Sequence, residues 1–391
     1  MSGIPPIAVD HFDYALTDDR IAYEPASPRD SAKLLVYNQD GITHSCFSEL
    51  DQFLDFNQLF IVNNTKVIPA RFWFTNDRGQ VIQVFLLNPL NPDWTHWHAM
   101  IGNRRKFKVE DVLQISQNGK SLSVRWSDRE NNQVELVSDL GSIPEAIEFF
   151  GEVPLPPYIE RQVSDKDKLD YQAIFAQKEG AVAAPTASLH FTESLQLRLD
   201  ANGLQKRELT LHVGAGTFKP VTAATADEHE MHAERFVINL DLIDSLLNQS
   251  FGVTAVGTTA CRLLESLPIL GAKLLLNELD EVFVSASDSY DYRYLQFSTR
   301  ETLDALKVEI IKRGGELHGE TQIFMVPGFE FRLTQSLITN FHQPKSTLLM
   351  LISAFVGDVW TDIYKDALSQ GYRFLSYGDG SLLRGKKNIK F

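Results

Sequence analysis

Two stretches of this chain repeat one pattern: an apolar strand runs into a polar turn and then directly into a helix. That pattern restricts the fold more than any other feature. Residues 253–259, VTAVGTT, end in Thr258 and Thr259 and pass straight into ACRLLESL. Residues 336–341, SLITNF, end at Asn340, cross His342 and Lys345 in HQPK, and enter STLLMLISAF with Ser346 as the predicted cap. A further strand, in LTLHVGAGTF, places Leu209, Leu211 and Val213 on one face and Thr210 and His212 on the other. Strands alternating with helices predict an α/β architecture, in which ligands bind beyond the carboxyl ends of the strands. The polar groups all fall at those ends, so one shared site is expected.

The stretch AVAAPTASLHFTESL, from Ala181 to Leu195, has the content of a site and not of a core strand. Pro185 has no backbone donor and pushes Ala184 away from helical angles, so regular structure must stop there. Thr192 is then a good N-cap, Glu193 suits a first turn, and Leu195 and Leu199 share one face before Gly203. Thr186 and His190 are thereby expected at a loop-to-helix junction, facing a ligand. The competing reading is that His190 caps the helix or packs in the loop.

Between Phe72 and Val153 the texture changes to short alternating strands, VIQVFLL, WHAMI, VLQIS, SLSVRW and QVELV, separated by turns rich in Asn, Asp, Gly and Pro. This predicts a small β-barrel or sandwich of residues 73–153, inserted into a discontinuous α/β catalytic domain of residues 1–72 and 154–391. VPLPPYI would be its exit hinge. The chain has 391 residues, enough for two or three domains, and no run of eighteen apolar residues. Two cysteines, Cys46 and Cys261, are too few for a disulfide framework, and a reducing, cytoplasmic setting without a membrane span is expected. The net charge of −14 argues against indiscriminate nucleic-acid binding. Local basic clusters remain at Arg104, Arg105, Lys106 and Lys108, and at Arg384, Lys386, Lys387 and Lys390.

Several groups are candidates for chemistry. Gly214 and Gly216 would let backbone amides approach a ligand, although the segment lacks the third glycine of a dinucleotide fingerprint. His229 and His232 in HEMHAE are three apart but do not form HExxH, so no metal is expected. Arg262 and Glu265 are spaced to pair on a helix. Lys345 lies at a helix start, where a cation opposes the dipole and needs another justification. Arg29 suits a carboxylate or phosphate, and Asp30 and Ser31 suit backbone turns; turn chemistry is the competing reading for all three. Asp379 falls in the turn of YRFLSYGDGSLL.

In EPASPRDSAKLLV, NNTKVIPAR, VPLPPYI, GAVAAPTASLHFT, TLHVGAGTFKPV, HEMHAERF, AVGTTACRLLES, PGFEFR, LITNFHQPKSTLLMLISAF and YRFLSYGDGSLL, taken in order from Phe12 to Leu383, the chain resembles the S-adenosylmethionine:tRNA ribosyltransferase-isomerases of queuosine biosynthesis. The resemblance implies transfer of the ribosyl portion of S-adenosylmethionine to 7-aminomethyl-7-deazaguanine at the tRNA wobble position. The sugar would be isomerised to an epoxycyclopentanediol, with release of adenine and methionine. S-adenosylmethionine is then a co-substrate, no separate cofactor is needed, and a monomer acting on tRNA is expected. Such chemistry needs a proton removed beside the sulfonium, assisted departure of adenine and a positioned amine. On these grounds His190, His212, His232, Glu193 and Asp379 are the candidate acid and base groups. Arg29, Asp30, Ser31, Thr186, Gly214, Gly216, Thr258, Thr259, Arg262, Asn340, His342 and Lys345 are the candidate substrate-binding groups.

The chain departs from the family pattern at Ser188, where a glycine is usual, at Ala260 and Cys261, at Gln83, and in HAMIGNRRKFKVED. The departures concentrate in the small domain, which suits a divergent branch with its own RNA preference. Two alternatives follow: ribosyl transfer to another RNA or a free nucleoside, and a non-catalytic RNA-binding relative. The retained His, Thr, Lys and Asp motifs argue against the latter.

Overall fold

The computed structural model describes residues 3–214, 216, 221–249 and 252–385. Lys386, Lys387 and Lys390 of the C-terminal basic run lie outside them. The strands, in chain order, are β1 (Lys33–Asn38), β2 (Gly41–Cys46), β3 (Leu59–Asn63), β4 (Thr65–Val67), β5 (Arg71–Thr75), β6 (Val81–Pro89), β7 (His96–Ile101), β8 (Val112–Gln117) and β9 (Lys120–Asp128). They continue as β10 (Gln133–Ser138), β11 (Lys178–Ala181), β12 (Gln205–Leu211), β13 (Glu234–Asn239), β14 (Val253–Val256), β15 (Phe283–Val284), β16 (Glu316–Thr321), β17 (Thr334–Asn340) and β18 (Gly380–Arg384). Two compact units result: Met1–Thr65 with Ala173–Lys178 and Pro185–Phe391, and Lys66–Gln172 with Glu179–Ala184.

The larger unit is mixed α/β. Its ten-stranded sheet has the order β15-β16-β13-β12-β3-β14-β17-β18-β1-β2. The four central strands β12, β3, β14 and β17 run parallel, and antiparallel strands flank them at β13 and β18. β3 and β14 are buried along their whole length, as expected for central parallel strands covered on both faces. Phe60 and Val62 of β3 pack with Phe191, Leu195 and Leu199. The helix Thr258–Leu275, which packs against β12, β3, β14 and β17, is buried all round through Ala272, so no polar stripe is needed. Its entry is set by Gly257 at φ +87°, a conformation open to glycine, whose N–H donates to the Ile338 carbonyl at 2.8 Å. The expected caps are in place. Thr192 Oγ1 accepts from the Leu195 amide at 3.2 Å, and Ser346 Oγ from that of Leu349 at 3.2 Å.

In the smaller unit, six strands close in the order β10-β7-β6-β5-β8-β9. Alternate side chains fill the interior, including Phe72, Phe74, Ile82, Val84, Trp97, Leu122, Val124 and Val134. Sequence reading did not include β5, and a boundary at residue 72 cuts through it. The strand is five residues long and starts directly behind Pro69 and Ala70, so its alternation is brief. Among the described residues no single helix is long and apolar enough to cross a membrane.

Candidate active site

Strand register brings the polar strand ends together. Leu209 lies beside Asn63, Val256 beside Ile338, and Asn340 beside Gly380, which in turn pairs with Leu34. On the other flank Leu211 lies beside Phe236. The carboxyl ends of β12, β3, β14 and β17 therefore coincide with the starts of β13, β18 and β1. His212, Thr258, Thr259, Asn340, His342, Asp379 and Glu234 all emerge at this one edge of the sheet.

The Thr186–His190 turn joins them by packing on β17. His190 is 4% exposed, and its ring lies 4.6 Å from that of Phe47 and beside Asn340. Burial, with Arg373 and Arg29 nearby, pushes its pKa down to about 4. His212, whose Nδ1 is 3.0 Å from Thr65 Oγ1, is likewise pushed down to about 4 by burial and by Arg235. His342 is pushed by burial to about 3; its Nε2 is 2.9 Å from Thr339 Oγ1, and its backbone is held by Tyr364 and Tyr14. All three imidazoles are thus neutral near pH 7.

Other candidates are tied into the frame. Asp379 is buried, and its carboxylate accepts from the amides of Lys33 at 3.0 Å and Arg373 at 2.7 Å. The Asn340 amide donates to the carbonyls of Leu375 at 2.9 Å and Ser376 at 3.2 Å, fixing the turn that leads to Asp379. Asp30 is buried and accepts from Thr192 Oγ1 at 2.8 Å, so it braces the helix cap. Ser31 is exposed and closes a turn onto Pro28 O at 2.7 Å, while half-buried Arg29 opens the same turn. Glu193 is exposed on the first turn of the helix Glu193–Ala201, where negative charge complements the dipole. Lys345 has φ +53° and its ammonium is held by Asp10 at 2.8 Å and Asp13 at 3.1 Å. Those two carboxylates answer the unfavourable dipole.

Arg262 and Glu265 do not pair with each other. Buried Glu265 accepts from the amides of Arg332 at 2.7 Å, Leu333 at 3.1 Å and Thr334 at 2.7 Å, whereas Arg262 Nη1 is ion-paired with Glu234 Oε2. Tertiary donors outcompete the neighbouring helix turn because a fully buried carboxylate needs several hydrogen bonds. Glu234 also approaches His232 Nε2 at 3.4 Å. A Cβ at Gly216 would come within 2.6 Å of the His232 ring, so glycine there permits close contact with that ring; Gly214 leaves 3.9 Å. Sequence reading missed Glu234, although HEMHAERF puts a carboxylate at the start of an apolar strand. Asn63, at the end of β3, grips the Leu211 backbone through O at 2.9 Å and N at 3.0 Å.

Several buried polar atoms along the edge have no hydrogen-bond partner: Ser188 Oγ, Thr259 Oγ1, and Nε and Nη2 of Arg262. Such a concentration departs from ordinary interiors and suits a polar ligand. Fold and edge together define an α/β protein with one polar, partly charged candidate site at the carboxyl ends of its central strands.

A family model described as queuosine biosynthesis protein matches residues 9–383, and the chain belongs to that family. It is 39% identical over 393 residues to an S-adenosylmethionine:tRNA ribosyltransferase-isomerase of Chelativorans sp. (strain BNC1), covering 96% of this chain and 98% of the relative. It is 37% identical over 379 residues to the protein of the same name from Sulfurihydrogenibium sp. (strain YO3AOP1), covering 95% and 98%. A solved S-adenosylmethionine tRNA ribosyltransferase from Thermotoga maritima aligns with a TM-score of 0.46 at 26% identity, over 95% of this chain and 99% of that one.

Proposed function

We propose that this chain is an enzyme that transfers the ribosyl portion of S-adenosylmethionine to 7-aminomethyl-7-deazaguanine at the tRNA wobble position and isomerises it. The products are epoxyqueuosine-tRNA, adenine and methionine. The observation that carries this reading is the gathering of His190, His212, Thr258, Asn340 and the Arg262–Glu234 pair at one sheet edge, in a chain whose near full-length relatives bear that name.

His190 and His212, held uncharged by burial, have a ring nitrogen to accept a proton and are the groups assigned to take the one beside the sulfonium. His232, next to Glu234, is the group placed to assist the departing adenine. Asp379 and Asn340 act by holding the β18 entry turn, and Thr258, Thr259 and Arg262 by contacting substrate. The barrel-bearing unit is read as a domain inserted into the α/β domain, and its basic loop Arg104–Lys106 is the part offered to RNA. In this reading S-adenosylmethionine is the co-substrate, no resident metal or cofactor takes part, and the protein works as a cytoplasmic monomer.

The test is to incubate the protein with S-adenosylmethionine and measure free adenine. Release only when the tRNA carries the deazaguanine base supports the proposal. Release with a free nucleoside or an unmodified RNA transfers the activity to another acceptor, and no release under any condition makes the chain a binding relative.

A further inference from the structure

The Arg262–Glu234 pair leaves half of a strong binding group unused. Arg262 is 4% exposed and Glu234 1%. Glu234 takes Nη1, so the opposite, side-on edge of the guanidinium, formed by Nε and Nη2, is buried without an acceptor. These two parallel N–H groups are the fork that matches a carboxylate in two hydrogen bonds. Neutralising Nη1 fixes the plane of the fork, and leaving two buried donors unmade is costly unless an acceptor meets them. Arg262 projects from the second turn of the helix that begins at Thr258, and Thr259 Oγ1 is also unsatisfied.

We propose that the Nε/Nη2 edge of Arg262 is the receptor for the α-carboxylate of the methionine half of S-adenosylmethionine, with Glu234 as the positioning residue that holds the fork in plane. This rests on the proposed co-substrate. The carboxylate lies on the β12–β13 flank, and the reacting sugar extends along the edge toward His212 and His190. The carboxylate is remote from the bonds that break, so the contact acts in binding and raises discrimination without entering the chemistry.

The experiment compares S-adenosylmethionine with its decarboxylated analogue in calorimetric binding to the full chain, and repeats both with Arg262→Lys. Lysine keeps the charge and removes the fork. The wild type is expected to bind the analogue about 10- to 100-fold more weakly, the size of a lost charged hydrogen-bonded pair. Arg262→Lys is expected to bind the two ligands alike and to raise KM for S-adenosylmethionine with a smaller change in kcat. Equal binding of the two ligands by the wild type overturns the inference, even if the variant fails to fold. So does undiminished discrimination in a folded variant. Adenine release from modified tRNA in the wild type is scored separately: its absence overturns the proposed activity, whereas its presence with equal ligand binding overturns only the carboxylate site.

Discussion

His190 and His342 show what burial does to single residues. Both are less than a tenth exposed, and their pKa values fall from 6.5 to about 4 and about 3. The unfolded chain binds protons at these sites below pH 6.5 while the folded chain does not, so stability is complete above pH 6.5. It is lost as pH falls toward 4. At pH 5 each histidine is expected to cost about 2 kcal/mol relative to pH 7.5. Denaturant midpoints at the two pH values in the wild type and in His342→Gln check this: the variant should lose less stability on acidification, and identical losses would contradict the assignment. Single residues are also where sequence reading reached its limit. The cation at the Lys345 helix start is answered by Asp10 and Asp13, which lie more than three hundred positions away in the chain. Glu265 and Arg262 look like a local pair because helix spacing is visible in a sequence, while the amides of residues 332–334 and the carboxylate of Glu234 are not.

At the scale of elements, the strand-to-helix junctions were legible because caps and apolar runs are local. Thr192 and Ser346 cap the helices expected of them, and β14 ends at Val256, two residues before Thr258, and β17 at Asn340, two before His342. The mixed direction of the sheet was not legible: β18 is antiparallel to β17 but parallel to β1, and nothing local in GSLLR sets that. Helix-to-helix fit is similarly hidden. A Cβ on Gly271 of the helix Thr258–Leu275 would overlap the Thr302 carbonyl of the helix Thr299–Lys312. Backbone cannot yield as a flexible side chain does, so Gly271→Ala is expected to destabilise the fold by about 1–3 kcal/mol. A thermal melt reads this as a lower midpoint, and an unchanged or higher one would show that the helices separate freely.

On the scale of the whole molecule, the sheet solves one problem: it collects groups from residues 186 to 379 into a single row while each stays anchored in its own strand or cap. Polar residues recurring at strand ends led to the expectation of one shared row, yet spacing could not order the strands or say which groups are spent on the frame. Asp379, Asn340 and Asp30 are spent there, whereas Arg262 and Thr259 keep unpaired atoms. With a net charge of −14, the proposed function requires that tRNA be met at local cationic surface and not by the molecule as a whole. The most direct measurement is a structure determined with S-adenosylmethionine bound. The ligand should lie across the carboxyl ends of β12, β3, β14 and β17, with its sulfonium between His212 and His190. A ligand seated on the six-stranded barrel, or at the opposite end of the ten-stranded sheet, would contradict the account.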